Sequence, residues 1–350
     1  MTKNNSESVQ MIRDSVGAVV PPGANLKRIR ARRDDGTGID RDVWKTIVDL
    51  GWLSLLLDED SGGLGLSVLE LCVIAEELGA ALVPEPVLAV AAMVPLLADP
   101  IRSAVLKGSV IVVPAWREEA CSPWASSQMR VSDGRISGRK ILAASAAAAD
   151  VFVVTTMDGP VLVERGAQGL SIELTKTQDG GYSGTLEMCE TPCVPLTGDA
   201  SAAIHELSLA HSAYLLGASE RAFQITLDYL RMRKQFGRLI GTFQVLQHRA
   251  AEAKIQLALS RAVLDEAVAA VTQGATIKDQ LQTAARAIAR VSDTAMLIAR
   301  ESVQMHGAIG ITDEHDIGLY CRKILSIYNQ FGSAASNRAR YLATLSAKDR

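Results

Sequence analysis

Asp228 to Lys254 reads DYLRMRKQFGRLIGTFQVLQHRAAEAK. The pattern is the end of one helix, a short turn at Gly237 to Gly241, and a second helix starting near Thr242. Arg231, Arg233, Lys234 and Arg238 put positive charge beside exposed backbone at that turn. Guanidinium and ammonium groups so placed suit a phosphate or diphosphate. A solvated basic helix end would show the same spacing. The helical period continues on both sides. Leu207, Ala210, Tyr214, Ala218, Ala222, Ile225 and Tyr229 fall three or four apart, as do Leu281, Ala284, Ile288, Val291, Ala295, Ile298, Ser302 and Met305. Helices of roughly 30 residues, about 45 Å long, are typical of an antiparallel bundle. Small residues on many of these faces imply close helix packing or burial against another chain.

Further upstream the period shortens. VIVVPAW, RISGRKILA, DVFVVTT, PVLVE, LSIEL and GTLEM, between Val110 and Met188, are short strand-like runs. Asp133-Gly134, Asp158-Gly159 and Asp179-Gly180 fall between such runs and read as turns. From about Asp40 to Lys107 the pattern is helical again, with turns at Gly51 and near Gly79, and Ser67 placed to cap a helix. The expected fold is therefore α+β and mainly α. It has an amino-terminal helical domain (1–107, the first ~35 residues read as a mobile lead-in), a middle β-barrel or sandwich (108–197) and a carboxy-terminal four-helix bundle (198–350).

Composition narrows the function by exclusion. The chain has 350 residues, 48% of them apolar, and a formal charge of -3 with acids and bases interspersed. A packed interior follows, and neither nucleic acid nor an anionic membrane is the expected partner. The first twenty residues lack a basic segment leading into an apolar core, and no apolar run approaches the ~18 residues of a membrane span. The cysteines, at 72, 121, 189, 193 and 321, have no zinc-type spacing. Reduced thiols filling space, no metal, and a soluble cytoplasmic protein are the expectation.

The Asp228–Lys254 segment resembles the acyl-CoA dehydrogenase family. A second family signature, a Gln followed by a glycine-rich turn, is matched by SVQMHGAIGITDEHDIGLYCRKI, Ser302 to Ile324, and LGWLSLLLDEDSGGLGLSVLELCVIAEELGAALVPEP resembles the family's first helical domain. The resemblance covers most of the chain from Trp44 onward. It implies an FAD-dependent oxidoreductase that converts an acyl-CoA thioester to the 2,3-enoyl-CoA. In the family a carboxylate takes the α-proton, and the β-carbon gives a hydride to the flavin. An electron-transfer acceptor then reoxidises the cofactor. By resemblance Arg233, Lys234, Gln235, Phe243 and Gln244 contact the phosphate and adenosine side of FAD, and Gln304, Met305, His306, Gly307 and Ala308 contact FAD from the neighbouring chain. Gln304 taken alone could equally be a polar helix residue.

The resemblance breaks at the catalytic base. The family's usual Glu, on a loop after the second signature, falls here on Phe331, followed by the retained Gly332. The minority position, on the long helix before the basic turn, falls on Leu207, with Glu206 adjacent but about 100° around the helix. Glu206 also reads as a solvent-facing acid favoured by the helix dipole. Glu220 and Asp228 read as surface charges. The flavin-cradling segments of the β domain are replaced by VVPAWREEACSPWASSQMRVSDG and RKILAASAAAAD. No residue of this chain is thus assigned as the base. An asymmetric loss of this kind is expected of a partner subunit in an α2β2 enzyme for a bulky, steroid-type acyl-CoA. The alternatives are a self-sufficient homo-oligomer using Glu206, or a non-enzymatic assembly protein without flavin.

Overall fold

The computed structural model describes residues 7–19, 26–32, 38–120 and 124–345. Cys121 and residues 1–6, 20–25 and 33–37 of the lead-in lie outside the described residues. Six helices come first: α1 (Glu7–Val19), α2 (Lys27–Arg32), α3 (Arg41–Asp49), α4 (Val68–Ala80), α5 (Val87–Met93) and α6 (Ile101–Leu106). Eight strands follow: β1 (Val112–Ala115), β2 (Val131–Ser132), β3 (Arg135–Ala144), β4 (Val151–Thr156), β5 (Gly159–Glu164), β6 (Leu170–Lys176), β7 (Tyr182–Pro192) and β8 (Val194–Pro195). The remainder is α7 (Ala200–Met232), a hairpin of β9 (Lys234–Gln235) and β10 (Arg238–Leu239), α8 (Gln244–Thr272), α9 (Ile277–His306), α10 (Ile317–Ile327) and α11 (Ala334–Thr344). The order helices, sheets, long helices is the expected one.

Contacts group these elements into two compact units. The first comprises Met1–Val16, Cys72–Val83 and Ser208–Arg350; the second comprises Gly17–Leu71 and Pro84–Leu207.

The second unit holds both sheets. One runs β1-β4-β5-β8, with β1 and β4 parallel and the other pairs antiparallel; the other runs β2-β3-β7-β6, all antiparallel. Both strands of the central pair β4 and β5 are rich in Val and buried on each face, so their residues form the sheet's core. The Asp133-Gly134 turn closes the β2–β3 hairpin with both residues at positive φ, 48° and 71°. Asp158-Gly159 is shifted by one residue: Thr156 pairs with Gly159, so Met157 and Asp158 form the loop. Ser67 caps α4 as expected, donating its hydroxyl to Glu70 at 2.6 Å and accepting from the Leu69 N–H, while Glu70 accepts the Ser67 N–H at 3.0 Å.

The first unit is the helical one. Helix α9 is its centre: Ala284, Ala285, Ala287, Ile288, Val291, Ala295, Ile298 and Ala299 are all buried, as are Ser292, Thr294 and Ser302. Short side chains all round let α8, α10 and α11 approach it closely. Two glycines set a closer crossing still. A Cβ on Gly79 would lie 2.0 Å from the Tyr214 carbonyl oxygen, and one on Gly217 would lie 2.0 Å from that of Glu76. Helices α4 and α7 therefore touch backbone to backbone. The basic turn is sharper than its sequence suggests, because Phe236 and Gly237 both take positive φ, 53° and 76°, to close the β9–β10 hairpin. Glu220 is no idle surface charge: it shares Arg261 with Glu76, at 3.0 Å on its own side.

Candidate functional site

The hairpin and the start of α8 form one exposed, basic and aromatic surface. Arg233, Lys234, Gln235 and Gln244 are exposed, and Phe236 at the hairpin tip is 89% exposed. The Arg238 guanidinium lies 4.0 Å over the Phe243 ring, and Phe236 meets the same ring edge-on at 6.1 Å. Arg231 is neutralised by Asp228, but Arg233, Lys234 and Arg238 have no carboxylate partner among the described residues. The amino-terminal end of α8 faces the same cluster and adds its partial positive charge. Uncompensated cations beside an aromatic face meet the needs of a dinucleotide's diphosphate and base.

The second signature closes α9. Gln304 is exposed; Met305 and His306 are buried, each 4% exposed; Gly307 and Ala308 are exposed. A cofactor on this surface would thus meet the Gln304 side chain and the backbone at Gly307 and Ala308, whereas the Met305 and His306 side chains turn into the unit. The two signatures are brought together within this chain. Arg249 of α8 grips Glu301 of α9 with two hydrogen bonds, 2.6 and 3.0 Å, and Tyr229 stacks on His306.

The loop that would carry the base is buried at Phe331 and tied down by hydrogen bonds. Phe331 is 2% exposed, and Gly332 takes φ 93°. Three helices pin the loop by its carbonyls: His211 Nε2–H of α7 donates to Ile327 O, Ser292 of α9 to Tyr328 O, and Asn337 of α11 to Phe331 O, each at 2.9 Å. The His211 ring lies 5.1 Å from that of Phe331. Sequence reading missed His211, since nothing in a lone helical His signals a ring contact with a distant loop.

Burial pulls the His211 imidazolium down to about 4, with the Ile327 carbonyl opposing and Lys323 adding to the shift. An unfolded His titrates near ~6.5, so the unfolded chain binds more protons between those values. The neutral ring's contribution to stability is therefore complete above about 6.5 and is lost as pH falls toward 4, on the order of 3 kcal/mol in all. Urea titrations across this range should show that loss, and His211→Asn should flatten it.

The second unit holds the other candidates. Leu207 is buried at 5% exposure, and beside it Glu206 is half-buried with no hydrogen-bond partner among the described residues. Burial pushes the Glu206 carboxyl above its ordinary value. Of the two segments that replace the family's flavin cradle, the one after β1 is tied to the other by Lys140 of β3, which is fully buried. Its ammonium donates to Glu118 (2.6 Å), Ser127 (3.2 Å) and Thr155 (3.1 Å). Burial pulls Lys140 down, opposed by Glu118. For Glu118 burial works upward, but hydrogen bonds from Lys140, Ser127 and the Gln128 N–H outweigh it and hold the carboxylate low. The ion pair locks this segment onto β3 and β4. Just beyond Lys140, β3 carries a bulge, with Leu142 exposed at φ 56°.

Among the described residues no group of three His, Cys, Asp or Glu side chains could hold a metal, and no helix is long and apolar enough to cross a membrane.

Comparison with known proteins agrees with this architecture. Residues 6–104 match the acyl-CoA dehydrogenase N-terminal domain, and residues 199–344 match the acyl-CoA dehydrogenase C-terminal domain. The chain is 30% identical over 325 residues to acyl-CoA dehydrogenase IpdE2 of Mycobacterium tuberculosis, covering 91% of each. Among solved structures it is similar to a variant of the Tcur3481–Tcur3483 steroid ACAD, with a TM-score of 0.86, 28% identity and 97% of each chain covered. It is also similar to the ChsE4-ChsE5 complex from Mycobacterium tuberculosis, with a TM-score of 0.87, 25% identity, 99% of this chain covered and 100% of that one. Fold and sequence relatives define a flavoprotein oxidoreductase. The chain belongs to the acyl-CoA dehydrogenase family, whose cofactor is FAD.

Proposed function

We propose that this chain is the partner subunit of an α2β2 acyl-CoA dehydrogenase, in which a second, dehydrogenase-like chain carries the catalytic base. The observation that carries the reading is Phe331. The usual base position holds a buried phenyl ring on a loop pinned by three side chains. A phenyl ring accepts no proton, and the pinned loop leaves no freedom to bring another group into its place. The uncompensated cations of the hairpin, by contrast, are kept. FAD, when bound, supplies the hydride acceptor. Arg233 and Lys234 hold its diphosphate, Phe243 and Gln244 flank its adenosine side, and Gln304 with the Gly307–Ala308 backbone lines the neighbouring wall. The α-proton of the thioester leaves to the partner's base. A separate electron-transfer protein takes the electrons onward.

The names of similar structures support a substrate class and a two-chain assembly: one is a steroid ACAD, and another is a complex of two differently named chains. A bulky, steroid-type acyl-CoA is the reading they favour. Co-expression with a dehydrogenase-like mate, followed by sizing and flavin counting, tests it. A mixed tetramer with one FAD for each pair of chains, active only as the mixture, is expected. One FAD per chain with activity in this protein alone would overturn it.

A second reading rests on Glu206, whose carboxyl is half-buried, without a partner among the described residues and raised above its ordinary value by burial, the direction that favours a general base. Glu206→Gln separates the two. The partner-base reading expects an unchanged rate, whereas a base at Glu206 would cost about 10²–10⁴ in kcat.

A further inference from the structure

Tyr229, His306 and His315 form a three-ring cluster at the junction of the two cofactor segments. Tyr229 lies one helical turn before Arg233, whose N–H donates to the Tyr229 carbonyl at 2.9 Å. His306 is the last residue of α9, two beyond Gln304. Their rings stack with centroids 4.4 Å apart and planes 24° from parallel. His315, on the segment before α10, completes the cluster at 4.6 Å from His306 and edge-on to Tyr229 at 5.9 Å. The turn Gly307–Ile311 is folded hard against this cluster, for a Cβ on Gly310 would lie 3.0 Å from both the His306 Cβ and the Val303 carbonyl oxygen.

The chemistry of His306 is unusual for a packing residue. Its Nδ1–H donates to Ser302 O at 2.7 Å, which leaves Nε2 as the bare acceptor. That nitrogen is buried and has no partner among the described residues. A buried acceptor without a donor is costly, and a protonated ring would be costlier. Burial already lowers the His306 imidazolium, and the backbone bond to Ser302 and the nearby His315 act in opposite senses. The surrounding acids are otherwise engaged. Asp228 of α7 is held by Arg231 and Gln224, Glu301 of α9 by Arg249, and Asp313 of the loop by Arg322. Asp316 has interactions of its own, and Glu314 is exposed. His315 accepts the Ile317 N–H through Nδ1.

We propose that these three rings are a positioning spine. The stack fixes the Gly307–Ile311 turn, with Gln304 and Ala308, relative to the basic hairpin of the same chain, so that both segments meet one FAD as a single platform, in place of the two chains between which the resemblance divides them, and it holds only while His306 is uncharged. His306 is thus a positioning residue. This rests on the cofactor reading given under Proposed function.

The test uses this chain in its complex with the partner subunit. FAD affinity is followed by flavin fluorescence at about pH 7.5 and about pH 5.5, with hydrogen exchange of the 307–311 amides as a second readout. His306→Ala should weaken FAD binding by about 10-fold or more and speed exchange at 307–311, leaving exchange in the middle of α8 unchanged. His306→Phe keeps a ring and cannot be protonated, so it should bind FAD normally at neutral pH and lose the acid-induced weakening of the wild type. Tyr229→Leu, which removes the stack from the other side, should behave as His306→Ala and serves if that variant does not fold. Wild-type affinity and exchange in the variants that break the stack would overturn the spine. Acid weakening of His306→Phe as steep as the wild type's would overturn the requirement for an uncharged ring. A wild-type complex that takes up no FAD would overturn the cofactor reading itself, and the spine with it.

Discussion

Replacing Arg233, Lys234 and Arg238 together with Gln is expected to weaken FAD binding by at least ~100-fold, with little change in the stability of the chain. Charge-assisted hydrogen bonds to a phosphate contribute about 1.5–3 kcal/mol each, and three groups acting on one diphosphate exceed ~3 kcal/mol even where they are not additive. Folding should be insensitive because these cations pair with no carboxylate among the described residues and lie exposed on a hairpin. Equilibrium titration with FAD at several salt concentrations checks both parts. The wild type should lose affinity as salt rises, and the triple variant should show a flatter dependence. A variant that binds FAD like the wild type would remove this hairpin from the cofactor site.

Gly79→Ala and Gly217→Ala are each expected to destabilise the chain by ~3 kcal/mol, a large effect for a single methyl group. In both cases the new Cβ would lie 2.0 Å from a carbonyl oxygen of the facing helix. Backbone cannot rotate aside as a side chain can, so α4 and α7 would have to separate along their crossing. Gly17→Ala is the control. It lies in α1 with nothing within 4 Å of its added Cβ, and the same substitution there should stabilise by ~0.5–1 kcal/mol through helix propensity. Urea denaturation of the three variants reads the contrast directly. Three similar midpoints would mean that the crossing is looser than the glycines imply.

Much of the fold is legible in the sequence, because the relevant information is local. The three-to-four spacing of Leu281 through Met305 is the buried stripe of α9, and the Val-rich runs of β4 and β5 are their burial. Ser67 announces a helix start by its chemistry alone. The features that were missed depend on contacts between distant segments. No period links Tyr229 to His306 or His211 to Phe331, and a ring contact leaves no trace in either flanking sequence. Lys140 was invisible for a different reason: a Lys in a strand of alternating character reads as solvent-facing, and only Glu118, Ser127 and Thr155 reveal that it points inward. The hairpin at Lys234–Leu239 escaped because Phe-Gly is an unusual pair for a two-residue turn that favours Asn-Gly. The candidate cofactor side was legible as composition, four basic residues around glycines. Which of its side chains point outward was not, and Met305 and His306 turned in.

Phe236 has a bearing on the life of the chain outside any assembly. An aromatic residue at φ 53° is held against its own backbone preference at about 1–2 kcal/mol, and it projects almost wholly into water. Newly made copies therefore display a greasy, conformationally taxed knuckle, the kind of feature that chaperones and proteases recognise. The abundance of this protein should accordingly follow the supply of whatever covers that knuckle rather than its own rate of synthesis.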